Sequence, residues 1–358
     1  MIITNDLHLG CVRRGGVTPT SQEALRNFTF DQLDNLLAST GPQGLVVNGD
    51  LFDSFDCPSR DWLATYQRFS YWLEDNRDRN LYLIAGNHDD SPKSDRVSSF
   101  RLLCSVLMNQ HDNCQCVDVG GYTQIVKGVH AIAHCANQDL FDLRLKEAIE
   151  KTSDGDILLL HANYAMPFSE GSQHSLSVTE EVAKDFANKG VRLIFGHEHQ
   201  GKVEIPYGCR EGAAPVTVTG NPWPTSVADC LGNQTKRYIK LHHGEISFVE
   251  TWRADGAEGF AQVDWRSLDP DCPAKFIRIV GDAVNAQAAS VIDSIHRFRQ
   301  KSSAFVITNA VKIEGIAEIG DLPEAFSAAA KFDVMDFVYR QLDSAEVEII
   351  RKIAEGLE

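Results

Sequence analysis

Long apolar runs, paired cysteines and excess positive charge are all scarce in this 358-residue sequence. No stretch approaches the roughly 20 apolar residues that a membrane-spanning helix needs, which excludes a bilayer-embedded protein of helical type. The opening Met1-Ile2-Ile3-Thr4-Asn5-Asp6 leads straight into a candidate motif, so a cleavable signal peptide is not expected. The nine cysteines are an odd number without framework spacing. Cys114-x-Cys116 is their only close pair, and no second pair completes a zinc site. Free thiols in a reducing, cytoplasmic setting are the expectation, and the triplets at Asn27 and Asn233 carry no weight as glycosylation sites there. Thirty-four basic residues stand against 50 acidic ones, for a net charge of −16. Phosphate contacts dominate nucleic-acid affinity, so that balance argues against a free-standing nucleic-acid binder. It does not exclude a nuclease whose bound metal ions restore positive charge locally.

Repeats and low-complexity tracts are also missing. What remains is an ordinary globular composition, 43% hydrophobic and 23% charged, long enough for one large α/β domain and something smaller. The first 200 residues alternate strand-like and helix-like segments, the pattern of layered α/β architecture. Strands are expected at Ile2–Asn5, Leu45–Asn48, Leu81–Ala85, Val129–Ala133, Ile157–Leu160 and Val191–Phe195. Leu25, Phe28, Leu33, Leu36 and Leu37 keep helical spacing, and Thr20-x-x-Glu23 reads as the capping box that opens their helix. Further amphipathic stripes run through Trp62 to Leu73, Phe100 to Leu107 and Leu140 to Ile149. After Gly201 come short segments suited to antiparallel pairing: Val203–Ile205, Val216–Thr219, Tyr238–Leu241 and Ile246–Glu250. A boundary is expected in the polar stretch Arg253–Pro273. Beyond it, Phe276–Val280, a helix over Ala286–Phe298 and Phe305–Ile313 form a small α+β unit. Two short helices, Phe332–Leu342 and Ser344–Leu357, end the chain.

Five motifs occupy the ends of the expected strands: Asp6-Leu7-His8, Gly49-Asp50, Gly86-Asn87-His88-Asp89, His161 and Gly196-His197-Glu198-His199. Strand ends are where α/β sheets assemble sites. Two divalent ions about 3.5–4 Å apart need one shared ligand and separate ligands on each side. Asp50 is the natural bridge, since a carboxylate has two oxygens. Asp6 and His8, two residues apart, can face one ion, and His197 and His199 can divide between the two. Asn87 offers a carbonyl oxygen and His161 a ring nitrogen. The mixed oxygen and nitrogen set suits Mn²⁺, with Fe²⁺ or Zn²⁺ as alternatives. Such a pair would make hydroxide available near neutral pH and absorb charge on phosphoryl oxygens.

His88 is left over from the ligand count and is placed to protonate a leaving alkoxide or steady developing charge. Asp53 is the candidate to orient it, the alternative being an Asp that merely caps a turn. Asp-x-His or Gly-Asp alone is weak, and isolated histidines such as His130, His134 and His296 read as packed or solvated residues. Five motifs in order at strand ends are far more specific. The spacing from Gly196 to Lys202 mimics a phosphate-binding loop, but Val203 stands where Ser or Thr is needed and a strand follows, so no ATP site is expected.

These motifs resemble the calcineurin-like metallophosphoesterase superfamily over residues 1 to about 250, and within it the SbcD-type repair nucleases. Gly220-Asn-Pro-Trp-Pro-Thr-Ser226 looks like the segment that follows the last motif there, usually Gly-Ser-Pro-x-Pro-Thr-Ser, with Asn221 departing mildly. The resemblance implies an α/β fold with a four-layer αββα core (1–262), a small α+β capping domain (263–325) and a helical tail (326–358). It implies one metal held by Asp6, His8, Asp50 and His199, and the other by Asp50, Asn87, His161 and His197. His88 would be the catalytic histidine, oriented by Asp53. The substrate would be DNA, cut with Mn²⁺ as a 3′-to-5′ exonuclease on duplex ends and an endonuclease on single strands. The partners would be a second copy, joined through helices near 59–76 and 94–108, and an SMC-like ABC ATPase of SbcC type. Met335, Val338, Tyr339 and Ile350 on the tail's apolar face would dock that ATPase. Arg13, Arg14, Lys93 and Arg96 flank the motifs along an expected DNA path, though each also reads as ordinary loop charge.

Two rivals remain. One is a phosphatase or small-molecule phosphodiesterase of the same superfamily. Against a protein phosphatase, Ser54 follows Asp53 where an Arg is usual, and position 89 is Asp rather than Glu. The other is a non-catalytic scaffold, which would have lost ligands that are all present here.

Overall fold

The computed structural model describes residues 1–13, 17–90, 96–165, 176–232 and 235–314. Strand and helix alternate from the start: β1 (Ile2–Thr4), α1 (Pro19–Ala38), β2 (Leu45–Asn48), α2 (Ser59–Asp75), β3 (Leu81–Ile84), α3 (Ser99–Gln110) and β4 (Cys114–Val117). Next come β5 (Tyr122–Val126), β6 (Val129–Ile132), α4 (Gln138–Lys151), β7 (Ile157–His161) and the short pair β8 (Asn163–Tyr164) and β9 (Ser177–Val178). Then follow α5 (Glu180–Lys189), β10 (Arg192–Gly196), β11 (Lys202–Glu204), β12 (Val216–Val218), β13 (Thr235–His242) and β14 (Glu245–Arg253). The remaining elements are β15 (Phe260–Asp264), β16 (Phe276–Val280), β17 (Asp282–Ala283), α6 (Ala288–Lys301), β18 (Val306–Asn309) and β19 (Lys312–Ile313).

Two six-stranded sheets carry the core, ordered β14-β13-β1-β2-β3-β4 and β11-β12-β10-β7-β6-β5. The alternation of side chains along β7 shows how they stack. Ile157 and Leu159 join the first sheet's residues and α1–α3 in one buried cluster, while Leu158 and Leu160 join α4 and α5 in another. Adjacent residues of a strand point to opposite faces, so β7 is buried on both sides. The result is a four-layer αββα sandwich. Helical stripes close it from outside; Phe69 and Leu73 of α2 have no exposed surface, each contributing roughly 1.5–3 kcal/mol by burial.

A smaller sheet, β15-β16-β18, is parallel throughout and packs on α6 with its own apolar cluster. Its first strand, Phe260–Asp264, lies inside the polar stretch where a boundary was expected. Parallel pairing with β16 makes a half-buried strand of a segment that looks like a linker by composition. Phe276 and Val306 of this sheet pack with Leu25 of α1 and with Val227 and Cys230, fixing the unit beside the 220s segment.

The start of α1 differs from the capping box expected at Thr20 and Glu23. Thr18 is the N-cap, its side chain accepting from the Ser21 N–H at 3.1 Å. Pro19 fills the first helical position, where its missing N–H costs nothing, so the helix begins two residues earlier. Glu23 is freed to pair with Arg60 of α2. Strands β4 and β5 were not anticipated; their exposed and half-buried residues weaken the apolar signal. Among the described residues no helix is long and apolar enough to cross a membrane. Residues 326–358, with Met335, Val338, Tyr339 and Ile350, lie outside those described, as do Arg14 and Lys93.

Candidate metal centre

The parallel strands of both sheets end at one edge, and the motifs meet there. The first sheet delivers Asp6 and His8 after β1, Asp50 after β2 and Asn87 after β3. The second delivers His161 as the last residue of β7, and His197 and His199 after β10. Asn48 ties the sheets at this edge, its amide donating to the Leu160 carbonyl at 3.0 Å.

Three overlapping groups form. In one, Asp6, His8 and His199 present ligand atoms to one another; in a second, Asp50, His161 and His197 do so; in a third, His88 meets His8 and Asp50. Asn87 Oδ1 belongs with the second, 3.0 Å from His161 Nε2 and 2.9 Å from His197 Nδ1. Asp50 lies between the first two, with Oδ1 at 3.3 Å from His161 Nε2 and Oδ2 at 3.9 Å from His8 Nε2. One oxygen thus faces each cluster, the disposition a shared ligand needs.

The donor set fits cations. His8 Nε2 and His199 Nε2 stand 3.1 Å apart, while the Nδ1 atom of each ring faces a carboxylate. With Nδ1 protonated toward those carboxylates, two lone pairs confront each other, an arrangement a shared cation relieves. Asp6 Oδ1 is buried without a hydrogen-bond partner, about 4 Å from three imidazoles: 3.9 Å from His8, 3.9 Å from His161 and 4.0 Å from His199. A buried carboxylate oxygen left unpaired is costly unless something positive meets it.

The backbone is bent to the same end. Asp6, His8, Asp50 and His197 all have positive φ, at 53°, 46°, 50° and 85°. Non-glycine residues avoid that region, so four at one site mark strain sustained by the surrounding fold. Gly49, at φ 89°, turns the chain under His161, and a Cβ there would run into the imidazole ring. A Cβ on Gly86 would meet the backbone N and carboxylate of Asp50.

Electrostatics divide the imidazoles. Burial lowers His8, and lowers His197 to about 4 with help from the neighbouring His161. Burial opposes charge on His161 too, but the Asp50 and Asp6 carboxylates overcome it and raise it to about 10. Burial also opposes charge on His199, whose bond to Asp229 outweighs it and raises the pKa.

His88 is more open than His199, its side chain 41% exposed against 32%, with Nε2 3.9 Å from Asp50 Oδ2. Its Nδ1 lies 2.6 Å from the backbone carbonyl of Asp53. Asp53 thus reaches His88 through its main chain and not through its carboxylate. The Asp53 carboxylate is instead gripped by Arg13, with both contacts at 3.0 Å, and sits 3.4 Å from His8 Nδ1. Arg13 also donates to the Thr225 carbonyl and hydroxyl. The strongest nearby charge captures the guanidinium, so Arg13 holds the site together rather than standing free along a groove. Arg96 likewise pairs with Asp56 at 2.6 Å and lies over the Phe55 ring.

Three residues that sequence reading passed over complete the centre. Asp89 is buried and accepts from the backbone N–H groups of Leu51, Phe52 and Gly86, at 3.2, 3.2 and 3.0 Å, stitching two motif loops together. Burial and then the Asp50 charge raise its pKa to about 7. Asp229 meets His199 Nδ1 at 2.6 Å, and Lys236, buried behind it, donates to the His199 carbonyl at 3.1 Å. Asp89 sat in plain view inside a motif, whereas Asp229 and Lys236 lie 30 and 37 positions from His199 and carried no local signal.

Comparison with known proteins agrees with this geometry. The calcineurin-like phosphoesterase family model matches residues 1–201. The chain is a calcineurin-like phosphoesterase. That family membership makes it a metal-dependent phosphoester hydrolase, with the Asp and His clusters as the candidate metal-binding groups. No curated protein matches it. Among solved structures, TT1561 of Thermus thermophilus shares 14% identity at a TM-score of 0.39, covering 70% of this chain and 98% of that one. A Staphylococcus aureus protein described as a candidate 5′-nucleotidase, in complex with α-ketoglutarate, shares 13% at 0.33, covering 70% of this phosphoesterase and 53% of its own length. Both overlaps are loose and bear on no finer property of the phosphoesterase.

Proposed function

We propose that this phosphoesterase is an SbcD-type nuclease that cleaves DNA phosphodiesters with two divalent metals, Mn²⁺ foremost. The supporting observation is the segment that most specifically resembles those nucleases, Gly220 to Ser226. Its Thr225 and Ser226 N–H groups each donate to Asp229 Oδ2 at 2.9 Å, and Asp229 holds His199. The segment is therefore part of the site's framework. Asp6, His8, Asp50 and His199 would hold one ion, and Asp50, Asn87, His161 and His197 the other. Such a pair supplies a nucleophile at neutral pH and offsets charge on the phosphoryl oxygens. His88, with Nδ1 fixed by the Asp53 carbonyl, keeps Nε2 on the open side of Asp50 to deliver a proton to the leaving oxygen.

The partners follow from the same proposal. Leu63 and Tyr71 on α2, and Leu102 and Met108 on α3, are exposed apolar residues suited to pairing with a second copy. The tail from residue 326 would dock an SMC-like ABC ATPase, whose own surface would contribute to gripping DNA.

A second reading, a small-molecule or cyclic-nucleotide phosphodiesterase, is favoured by the pairing of Arg13 with Asp53 and of Arg96 with Asp56. Two of the four cations expected along a DNA path are thus already engaged. The deciding assay measures nucleotide release from linear duplex DNA with Mn²⁺, beside hydrolysis of a bis-aryl phosphate. Release from DNA supports the nuclease; turnover of the small ester alone would sink it.

A further inference from the structure

The imidazoles of the two metal clusters are not all backed by the same kind of group. In the second cluster His161 is steadied by a neutral group, the Asn48 carbonyl, at 3.0 Å. In the first, each imidazole has a carboxylate behind it: Asp53 for His8 at 3.4 Å and Asp229 for His199 at 2.6 Å. The His8 contact is a poorly aligned charge contact, whereas Asp229 makes a short hydrogen bond. The two carboxylates are also linked. Arg13 grips Asp53 and donates to Thr225 Oγ1 at 2.9 Å, and Thr225 donates to Asp229 through its N–H at 2.9 Å and its hydroxyl at 3.3 Å.

We infer that Asp229 is the positioning residue of the Asp6–His8–His199 cluster, and that metal binding at that subsite depends on it. The inference rests on the hydrolase reading above and adds a supporting residue to one of its two subsites. The other Asp229 oxygen is fully engaged, taking the Thr225 and Ser226 N–H groups and the Ser226 hydroxyl at 2.9 Å, so the carboxylate cannot swing away from His199. Held Nδ1-protonated, His199 presents Nε2 as the only atom free to bind a cation. A carboxylate behind a ligating imidazole also makes that nitrogen more basic, and removing such a partner typically weakens metal binding by about 10–100-fold. His161, backed by a neutral carbonyl, receives no such reinforcement.

The test is direct metal binding by the full chain, without substrate. Metal-free wild type, Asp229→Asn and Asp229→Ala would be titrated with Mn²⁺, following bound metal by equilibrium dialysis and spin coupling by electron paramagnetic resonance. Wild type should bind two ions in separable steps and give a coupled spectrum once both are bound. Asp229→Ala should lose about 10–100-fold in one step only, so that at intermediate Mn²⁺ one uncoupled ion remains. Asp229→Asn, which keeps a hydrogen-bond acceptor without the charge, should fall between. Thermal melts of the metal-free variants report folding, and Asp229→Asn carries the test if Asp229→Ala is unfolded. Unchanged affinity at both steps in a folded variant would overturn the inference while leaving the hydrolase reading intact. So would equal weakening of both steps, which marks a general structural role. Failure of wild type to bind a metal pair would overturn both.

Discussion

His88 and Asp53 separate chemistry from support at the level of single side chains. His88 meets His8 and Asp50 in a third grouping but lies outside both proposed ligand sets, so His88→Ala should retain metal binding while lowering turnover about 10²–10⁴-fold. Metal content and steady-state rate on one preparation check this, and loss of metal would instead make His88 a ligand. Asp53→Ala should behave differently. The His88 contact is to a backbone carbonyl and survives, whereas His8 and Arg13 lose their partner. Weaker Mn²⁺ binding is therefore expected from Asp53→Ala, with the rate near normal at saturating metal. His161 sets a pH dependence. Its pKa is raised to about 10 in the metal-free protein, so at neutral pH a cation must displace its proton. Apparent Mn²⁺ affinity should rise with pH by up to about tenfold per unit from that proton at any pH below about 10. The sign for metal-free stability is opposite: a raised histidine pKa stabilises fully below pH about 6.5, and that share is lost as pH climbs through about 10. Calorimetry in buffers of different ionisation enthalpy would read the released proton.

Elements show what was legible in the sequence and what was hidden. The strands that end in motifs were readable because apolar runs such as Leu158-Leu-Leu160 are buried on both faces and break at a polar ligand. Partially exposed β4 and β5 lacked that contrast. The start of α1 was misplaced because Thr18-Pro19-Thr20 offers two capping residues, and only the position of the proline ring decides between them. Thr18→Ala should therefore cost about 1 kcal/mol and Thr20→Ala much less, read from urea unfolding midpoints. The candidate ligand set was legible, since every member but the lone His161 lies in a short motif of several residues. Its supports were not: Asp229, Lys236 and the Arg13–Asp53 pair act across long sequence separations. Pairing of that kind is made by the fold and leaves no local pattern. Gly49 was visible only as a motif letter; the structure supplies its reason, the imidazole of His161 filling the space where a Cβ would go. Gly49→Ala should both strain the turn, by about 1–2 kcal/mol for a left-handed backbone, and push His161 from its place. Loss of one bound metal at modest loss of melting temperature is the expected signature.

At the scale of the whole molecule, acidity and architecture constrain how the site is used. With a net charge of −16 the chain alone should bind duplex DNA weakly, and its affinity should fall only gently with salt, because few phosphates are neutralised. A partner that supplies the grip would steepen that slope. Removing residues 331–358 should leave Mn²⁺-dependent hydrolysis of small esters intact while abolishing binding to the proposed ATPase partner; retained binding would relocate the proposed docking surface. The site also spans the junction of the two sheets, and each of the two proposed ligand sets draws from both. Bound cations would then act as rivets through the sandwich. At 100 times the dissociation constant a single ion adds about 2.7 kcal/mol to the folded state, and here that energy is applied across a seam. Chelation should therefore loosen the molecule along one line. Amide hydrogen exchange should quicken together around Asn48, Ala85, His161 and Gly196 while the outer faces of α1 and α4 keep their rates. Metal supply would govern the mechanical integrity of this fold as well as its chemistry.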